Sequence, residues 1–347
     1  MLLNRTPSRA EVKAALDREW YFKKKLEMDR AKLLSTIPFQ KDSDVDFFQT
    51  ELTHKETEAI IHVPEDTTSR KMWTVVNIGR GAQVIEYREL LRSGRAEFTA
   101  YGDDNVPRAS VSRAQNFSPV RKAKIYYGWE LEDIETSDFA GFSLQGESNI
   151  AAKNAMEYRF NNTAWFGAVA QGLPGYFTWA SGGFLNTVTP VAGISSGADN
   201  TWATKLAEEI WNDVIRLKLA SGMATGGQIK SNVLGVGTEG FGLLQYTHFN
   251  NLGTGETIMD RIISKKVFER VEECPELNTV TVAGLVTAKN CAIAYSDRKD
   301  VFKLHHPLEF TTLPMQIKGF SSRIYCHGNT AGLFCYQKFG GSYLLDI

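Results

Sequence analysis

The stretch RELLRSGRAEFTAYGDDNVPRASVSRAQNFSPVRKAKIYYGWEL, residues 88–131, decides how this chain is read. In its last part Ala123, Ile125, Tyr127, Trp129 and Leu131 alternate with Lys122, Lys124, Tyr126 and Gly128, the period of a strand with one buried face. Upstream, from Gln83 to Arg113, the chain is poor in turn residues except at GDDNVP (102–107), where Gly, Asp, Asn and Pro supply turn geometry. Two extended arms meeting at that tip predict a long hairpin. Residues 79–124 carry nine basic and five acidic side chains and few large aliphatics, so the hairpin has little with which to seat itself on its own domain. A two-stranded ribbon is marginal in water by itself, and the inference is that this one lies on another molecule.

Working outward, the 347 residues suggest about two structural units at roughly 150 residues each, enough for a sizeable core. Apolar residues make up 43% and charged residues 23%, which excludes disorder, collagen-like repeats and a long coiled coil as the dominant state. The formal net charge of −1 argues against a dedicated nucleic-acid grip, although a locally basic face stays open. No run approaches the ~20 apolar residues of a membrane span, and the first residues lack a signal-peptide core, so synthesis in the cytoplasm is expected. Cys274, Cys291, Cys326 and Cys335 match neither a zinc pattern nor a disulfide framework and are expected to be reduced, buried thiols.

Residues 8–37 read as one amphipathic helix, with Val12, Leu16 and Trp20 spaced by four, ended before Pro38. Residues 1–35 hold nine basic and five acidic side chains, which fits either a solvated helix with one docked face or an arm gripping a neighbouring subunit. Residues 40–70 look irregular. SLQGESNIAAKNAMEYRFNNTAWFGAVAQG (143–172) reads as a helix closed by Gly172 and Pro174; if continuous, it is a strut of roughly 35–45 Å. Helices are also expected at about 199–220, with Trp202, Leu206, Ile210, Val214 and Leu217 on one face, and at about 256–273, with Met259, Ile263, Val267 and Val271. Between and after them SNVLGV, TVTVAGLV and NCAIAY read as buried strands covered by those helices. The segment from 310 to 347 returns to strands, for which the 117–131 strand is the expected sheet partner.

Four sets of residues could carry chemistry. GVGTEG (235–240) is a literal GxGxxG, but the segment after it is loop-rich where a dinucleotide fold needs a further βαβ unit, and glycines packed under a turn are the plain alternative. GISSG (193–197) would make Ser195 a nucleophile, yet its loop setting lacks the strained elbow, and no acid is identifiable to assist His305 or His306. The six histidines show no metal-binding spacing, and His305 and His306 point to opposite sides of any strand. Glu130, Glu132, Asp133 and Glu135 form a dense acidic cluster, read as a solvated face. No catalytic constellation and no cofactor or metal site emerges.

The order of parts, however, is informative. A basic N-terminal helix, the 88–131 hairpin, NIAAKNAMEYRFNNTAWFGAVAQGLPGYF, DVIRLKLASGMATGGQIKSNVLGV and the final GLFCYQKFGGSYLLDI together resemble the tailed-bacteriophage major capsid protein family, with its Hong Kong 97-type α+β fold. The resemblance covers residues from about 75 to 347 and includes the turn Gly172-Leu173-Pro174-Gly175 after the Ala-rich helix. It implies an N-terminal arm over 1–78, an extended E-loop over 79–117, a peripheral domain over 118–184 and 309–347 with a spine helix at 143–172, and an axial domain over 185–308. It also implies a virion structural protein, not an enzyme, that self-assembles as hexamers and pentamers into an icosahedral shell enclosing double-stranded DNA. The DNA would be held by non-specific contact with the inner surface, with assembly in the bacterial host cytoplasm and no membrane partner.

Portal and decoration proteins are further implied partners. Only a short helix precedes the body, so a separate scaffolding protein is expected, and no Lys–Asn crosslinking pair is identified. Intersubunit contacts are expected at Leu16 and Trp20 in the arm and at Arg92, Arg95, Phe98 and Tyr101 in the hairpin. Two other readings remain open at this level: an encapsulin-like nanocompartment shell, and a cytosolic α/β enzyme using the glycine motif.

Overall fold

The computed structural model describes Lys24 and residues 67–98, 107–139, 143–191, 201–249, 255–278, 280–282, 285–286, 290–345 and 347. The chain divides into two units, 1–63 and 64–347. The elements of the second unit run α1 (Ser69–Met72), β1 (Val75–Val76), β2 (Val84–Ser93), β3 (Ser110–Pro119), β4 (Arg121–Glu130), α2 (Leu131–Phe139), α3 (Leu144–Phe166), α4 (Tyr176–Ser181) and β5 (Asn186–Val188). Next come α5 (Ala207–Ala224), β6 (Val233–Val236), α6 (Thr238–Tyr246), α7 (Ile258–Ser264), β7 (Arg270–Glu273), β8 (Thr281–Val282) and β9 (Leu285–Val286). The last are β10 (Cys291–Tyr295), β11 (Phe302–His305), β12 (Leu308–Thr312), β13 (Gln316–Lys318), β14 (Ser321–Thr330), β15 (Gly332–Cys335) and β16 (Gly341–Leu345).

Five strands make the largest sheet, in the order β5-β16-β10-β6-β7. β6 reads VLGV and β10 CAIAY, and every residue of both is buried, because a strand covered on both faces needs apolar residues at consecutive positions. Val233, Cys291, Ile293, Tyr295 and Tyr343 face one core; Leu234, Val236, Ala292, Ala294 and Leu344 face the other. The second core is closed by Ile210, Val214 and Leu217 of α5, Leu243 and Leu244 of α6, and Ile258 and Ile262 of α7. The first is closed by Trp165 of α3, by Tyr176 and Phe177 of α4, and by the small sheet β1-β11-β15.

Residues just after the first unit are fastened into this body. Trp73 packs edge-on against Trp165 at 4.6 Å and stacks on Tyr176 at 5.9 Å. Arg70 grips Glu157 of α3 with two nitrogens at 2.9 and 3.0 Å. Deeper, Lys205 Nζ lies 2.6 Å from Asp213 Oδ2 with both side chains fully buried. The same carboxylate accepts the Trp202 indole N–H at 3.1 Å and the Val191 backbone N–H at 2.7 Å.

A second sheet is built on β14. Its whole length pairs with β4, from Arg121↔Thr330 to Glu130↔Ser321, and β12 and β13 share its other edge. Helix α3 crosses one face, seating Met156 and Phe160 on Trp129, Ile324 and Cys326. The approach is close enough that a Cβ on Gly328 would come 2.8 Å from Phe160 and 2.9 Å from Met156 Sδ. Ala123, Ile125 and Tyr127 line the same face, as the alternation in the sequence predicts.

Several expectations need correction. The 143–172 helix ends at Phe166, because Gly167 takes φ 75° against the Thr178 hydroxyl; a short 3-10 turn at Val169–Gln171 comes after it. The 199–220 helix begins at Ala207, leaving Leu206 outside it and 45% exposed, and runs on to Ala224. The 256–273 helix stops at Ser264; Lys266 turns to φ 49°, and Val271 lies in β7. Its buried face is Ile258 and Ile262, while Ile263 is 63% exposed. In the last segment only β12, β13 and β14 join the sheet of β4; β15 pairs with β11, and β16 pairs with β10 and β5. The GISSG motif with Ser195, and the 8–37 helix apart from Lys24, which is helical and exposed, lie outside the described residues.

Candidate assembly surfaces

β2 and β3 pair antiparallel over ten residues each, from Val84↔Pro119 to Ser93↔Ser110, a span of about 33 Å at ~3.3 Å per residue. Among the described residues it is the root of this ribbon that packs on the body. Ile85 is buried with Ala331 and Phe334, and Tyr87 stands edge-on to Phe334 at 5.8 Å and to Tyr336 at 5.2 Å. Beneath them the Tyr336 hydroxyl lies 2.7 Å from His305 Nε2. Burial pushes His305 down to about 4 and Tyr336 up to about 12, so the cradle is held uncharged at neutral pH.

Beyond the root the apolar residues face solvent, Leu90 60% exposed and Val111 66%, and within the root Phe117, opposite Glu86, is 64% exposed. The ribbon is laced by polar contacts across its strands, Asn116 to Glu89 at 2.9 Å and Ser93 to Ser110 at 2.8 Å. Gln115, then Arg88, hydrogen-bond Glu86 and hold its carboxyl below the usual range. Such contacts keep two strands in register but bury no apolar area, and burial is the dominant favourable term in folding.

The residues expected to make contacts are distributed accordingly. Arg92 is exposed on β2 opposite Val111, and Arg95 and Phe98 are exposed beyond its end. They are not gathered into a pocket. Leu16, Trp20, Tyr101 and most of the 102–107 tip lie outside the described residues. The seat formed by Ile85, Tyr87, Phe334 and Tyr336 was missed; the only sequence signal for it was the aromatic pair flanking Cys335.

A second surface is the face of the β4–β14 sheet away from α3. Cross-strand pairs Lys124↔His327, Tyr126↔Tyr325 and Gly128↔Arg323 stand along it. The two tyrosine rings are 5.7 Å apart, and the Arg323 guanidinium lies 5.5 Å from the Tyr126 ring centre. A shallow cleft of about 340 Å³ beside them is lined by Lys122, Lys124, Leu313, Gln316, Tyr325 and His327, among others.

The chemical candidates resolve into packing. GVGTEG does follow a strand and open a helix, and β6 and β7 are parallel neighbours bridged by α6 and α7, a crossover the sequence reading denied. Its glycines are nonetheless filled: a Cβ at Gly235 would meet Met72 at 2.8 Å, and one at Gly240 would meet Val236 at 2.7 Å. The first amide of α6, where a pyrophosphate would sit in a dinucleotide fold, donates to Asn278 Oδ1 at 2.6 Å. His305 and His306 are buried on opposite sides, beside Phe334 and Phe160. Glu130, Glu132, Asp133 and Glu135 are exposed, as a solvated face requires. Among the described residues no group of His, Cys, Asp and Glu is placed to hold a metal ion, and no helix is long and apolar enough to cross a membrane. All four cysteines are free and buried.

Known proteins share this fold. The model of a family described as major capsid protein matches residues 94–344. The capsid of Myoviridae phage XM1 aligns with a TM-score of 0.73 at 13% identity, covering 86% of this chain and 98% of that one. A chain from Mycobacterium phage Ogopogo aligns at 0.60 and 12% identity, covering 89% and 100%. The capsid of an empty GTA particle aligns at 0.59 and 12%, covering 86% and 96%. No curated protein sequence matches significantly.

Proposed function

The chain belongs to the phage major capsid protein family, and from that premise we propose that its copies close as hexamers and pentamers into an icosahedral shell around double-stranded DNA. It is a structural protein of the capsid and not an enzyme. The observation that carries the mechanism is the β2–β3 ribbon, which leaves its own body after Tyr87 and Asn116 with Leu90, Val111 and Phe98 in solvent.

An exposed two-stranded ribbon gains stability only from what it is laid upon. Residues 79–117 act as the extended loop reaching a neighbouring copy, and residues 1–78 as a second reaching arm. Residues 118–184 with 309–347 form the peripheral domain, stiffened by α3, and residues 185–308 form the axial domain at the capsomer centre. Obligate contacts commonly bury more than about 2,000 Å². Closure links many individually modest contacts, so the shell outlasts any pair within it. A net charge of −1 suits side-by-side packing, since strong like charge would oppose it. Scaffolding, portal and decoration proteins are the partners this role calls for in the bacterial cytoplasm, with DNA touching the inner surface without sequence preference.

The test is expression in a bacterium with a scaffolding protein, followed by electron microscopy and nuclease treatment. Closed particles retaining nuclease-resistant duplex DNA are expected from infected cells. A chain that stays monomeric at high concentration, or native shells that enclose an enzyme instead of DNA, would contradict the reading.

A further inference from the structure

The outer face of the β4–β14 sheet is dipolar. Lys122 and Lys124 stand at one end with His327, and Arg323 crosses the middle over Tyr126. Gly128 makes room for that crossing, since a Cβ there would lie 2.5 Å from the Ser322 carbonyl and 3.1 Å from the Arg323 side chain. At the other end, eight residues or about 27 Å along the strand, Glu130 leads into α2, where Glu132, Asp133 and Glu135 are exposed and the last turn carries no basic residue. Between the ends Tyr126 is 56% exposed and Tyr325 36%, with Leu313, 42% exposed, lining the cleft beside Tyr325. Ile134 packs inward against the sheet, which turns Glu132 and Glu135 outward.

We propose that this face is an interface between copies of the chain, in which the acidic α2 end of one copy docks on the Lys122–Lys124–Tyr126–Tyr325 face of the next. The inference rests on the chain building a shell from itself and names one of the surfaces it uses. Glu130 and Asp133 share the outer face with Tyr126 and Arg323; where the acidic end of one copy meets the basic end of the next without the reverse contact, the interface is heterologous and propagates head to tail into rings or sheets. Complementary charges set the register, and the tyrosine pair with Leu313 supplies apolar area.

A nucleic acid is the competing occupant, because basic residues interleaved with aromatics also suit a strand of stacked bases. Two features favour protein. Glu130 and Asp133 line a cleft of about 280 Å³ together with Tyr126 and Arg323, and would repel phosphate. The Leu313 side chain gains nothing from a phosphate backbone and much from an apolar partner.

The test uses the full-length protein under conditions where the wild type assembles at ~0.15 M salt. Lys122→Glu/Lys124→Glu and Glu132→Lys/Glu135→Lys are each expected to lower particle yield at least tenfold by sedimentation while keeping the wild-type melting curve. The quadruple variant carrying both reversals should recover yield, since each reversed face again meets a reversed helix. Should the reversed strand not fold, Lys124→Gln/Arg323→Gln gives the same loss at smaller size. Either double variant assembling at wild-type yield, or a folded quadruple variant as defective as the doubles, overturns the inference. So does loss of single- or double-stranded oligonucleotide binding by Lys122→Glu/Lys124→Glu with assembly intact, which would assign the face to nucleic acid. Wild-type shells with indifferent variants would remove this interface alone; wild type that never assembles would remove the capsid role with it.

Discussion

Tyr87 meets Tyr336 edge to face, ring centroids 5.2 Å apart and planes at 89°, and beyond this contact the ribbon has no hold on its own body among the described residues. The pair marks where the ribbon leaves the molecule that made it. What lies before it is folded by this chain's own core; what lies after it is, in the proposed function, laid on a neighbouring copy.

Tyr87→Ala removes the edge-on contacts to Phe334 and Tyr336. About 2 kcal/mol of stability should be lost, less than for a fully buried aromatic because Tyr87 is only half-buried. Hydrogen exchange should accelerate in β2 and β3 far more than in β6 and β10. Equal acceleration everywhere would show that the root is not a local seat.

Gly328→Ala places a methyl group 2.8 Å from Phe160 and 2.9 Å from Met156 Sδ. Overpacking of this kind costs about 1–3 kcal/mol. Urea denaturation should show that loss, and with Met156→Ala added the total loss should be less than the sum of the two single losses, since the changes share one contact. Additive losses would mean that α3 yields without strain.

Asp213→Ala leaves Lys205 as an uncompensated buried charge and orphans the Trp202 indole and the Val191 amide. Breaking a buried pair on one side costs about 3–5 kcal/mol. Lys205→Met with Asp213→Leu should lose less than Asp213→Ala alone in thermal melts. A single variant as stable as wild type would show that the pair does not tie the chain to α5.

Burial pushes His305 and His306 down to about 4, with Lys303 adding to the effect at the first and Arg70 at the second. Unfolded histidine titrates near ~6.5, so between pH ~6.5 and about 4 the unfolded chain takes up protons that the folded chain refuses. Stability from these rings is complete above pH ~6.5 and declines as pH falls through that window, by up to roughly 3 kcal/mol per ring. The urea midpoint should drop from pH 7 to pH 4.5, and His306→Phe, which keeps a ring beside Phe160, should shrink the drop. An unchanged pH profile in that variant would contradict the assignment.

Much of this architecture is visible in residue order, and the reasons for success and failure are local. Lys122 to Trp129 alternate because one face of β4 meets α3 and the other meets water, so period two is written into the residues. VLGV and CAIAY are continuous because both faces are covered. The end of α7 was not legible, since Met259, Ile263, Val267 and Val271 keep helical spacing through a turn that only the left-handed Lys266 breaks. Nor was the partner of β16, because strand pairing is decided by distant packing and not by the strand's own pattern. Exposed ribbon residues such as Arg92 and Phe98 could be named from composition. The seat joining Ile85 and Tyr87 to Phe334 and Tyr336 could not, since it brings together the two ends of the second unit.

The central claim concerns where Leu90, Val111 and Phe98 go in the assembled state, and a cryo-electron microscopy map of purified particles reads this directly. The map should show those three side chains within van der Waals distance of a second copy, with the ribbon following that copy's surface beyond Tyr87. Ribbons surrounded by solvent on every side, or folded back onto the domain that carries them, would contradict the account.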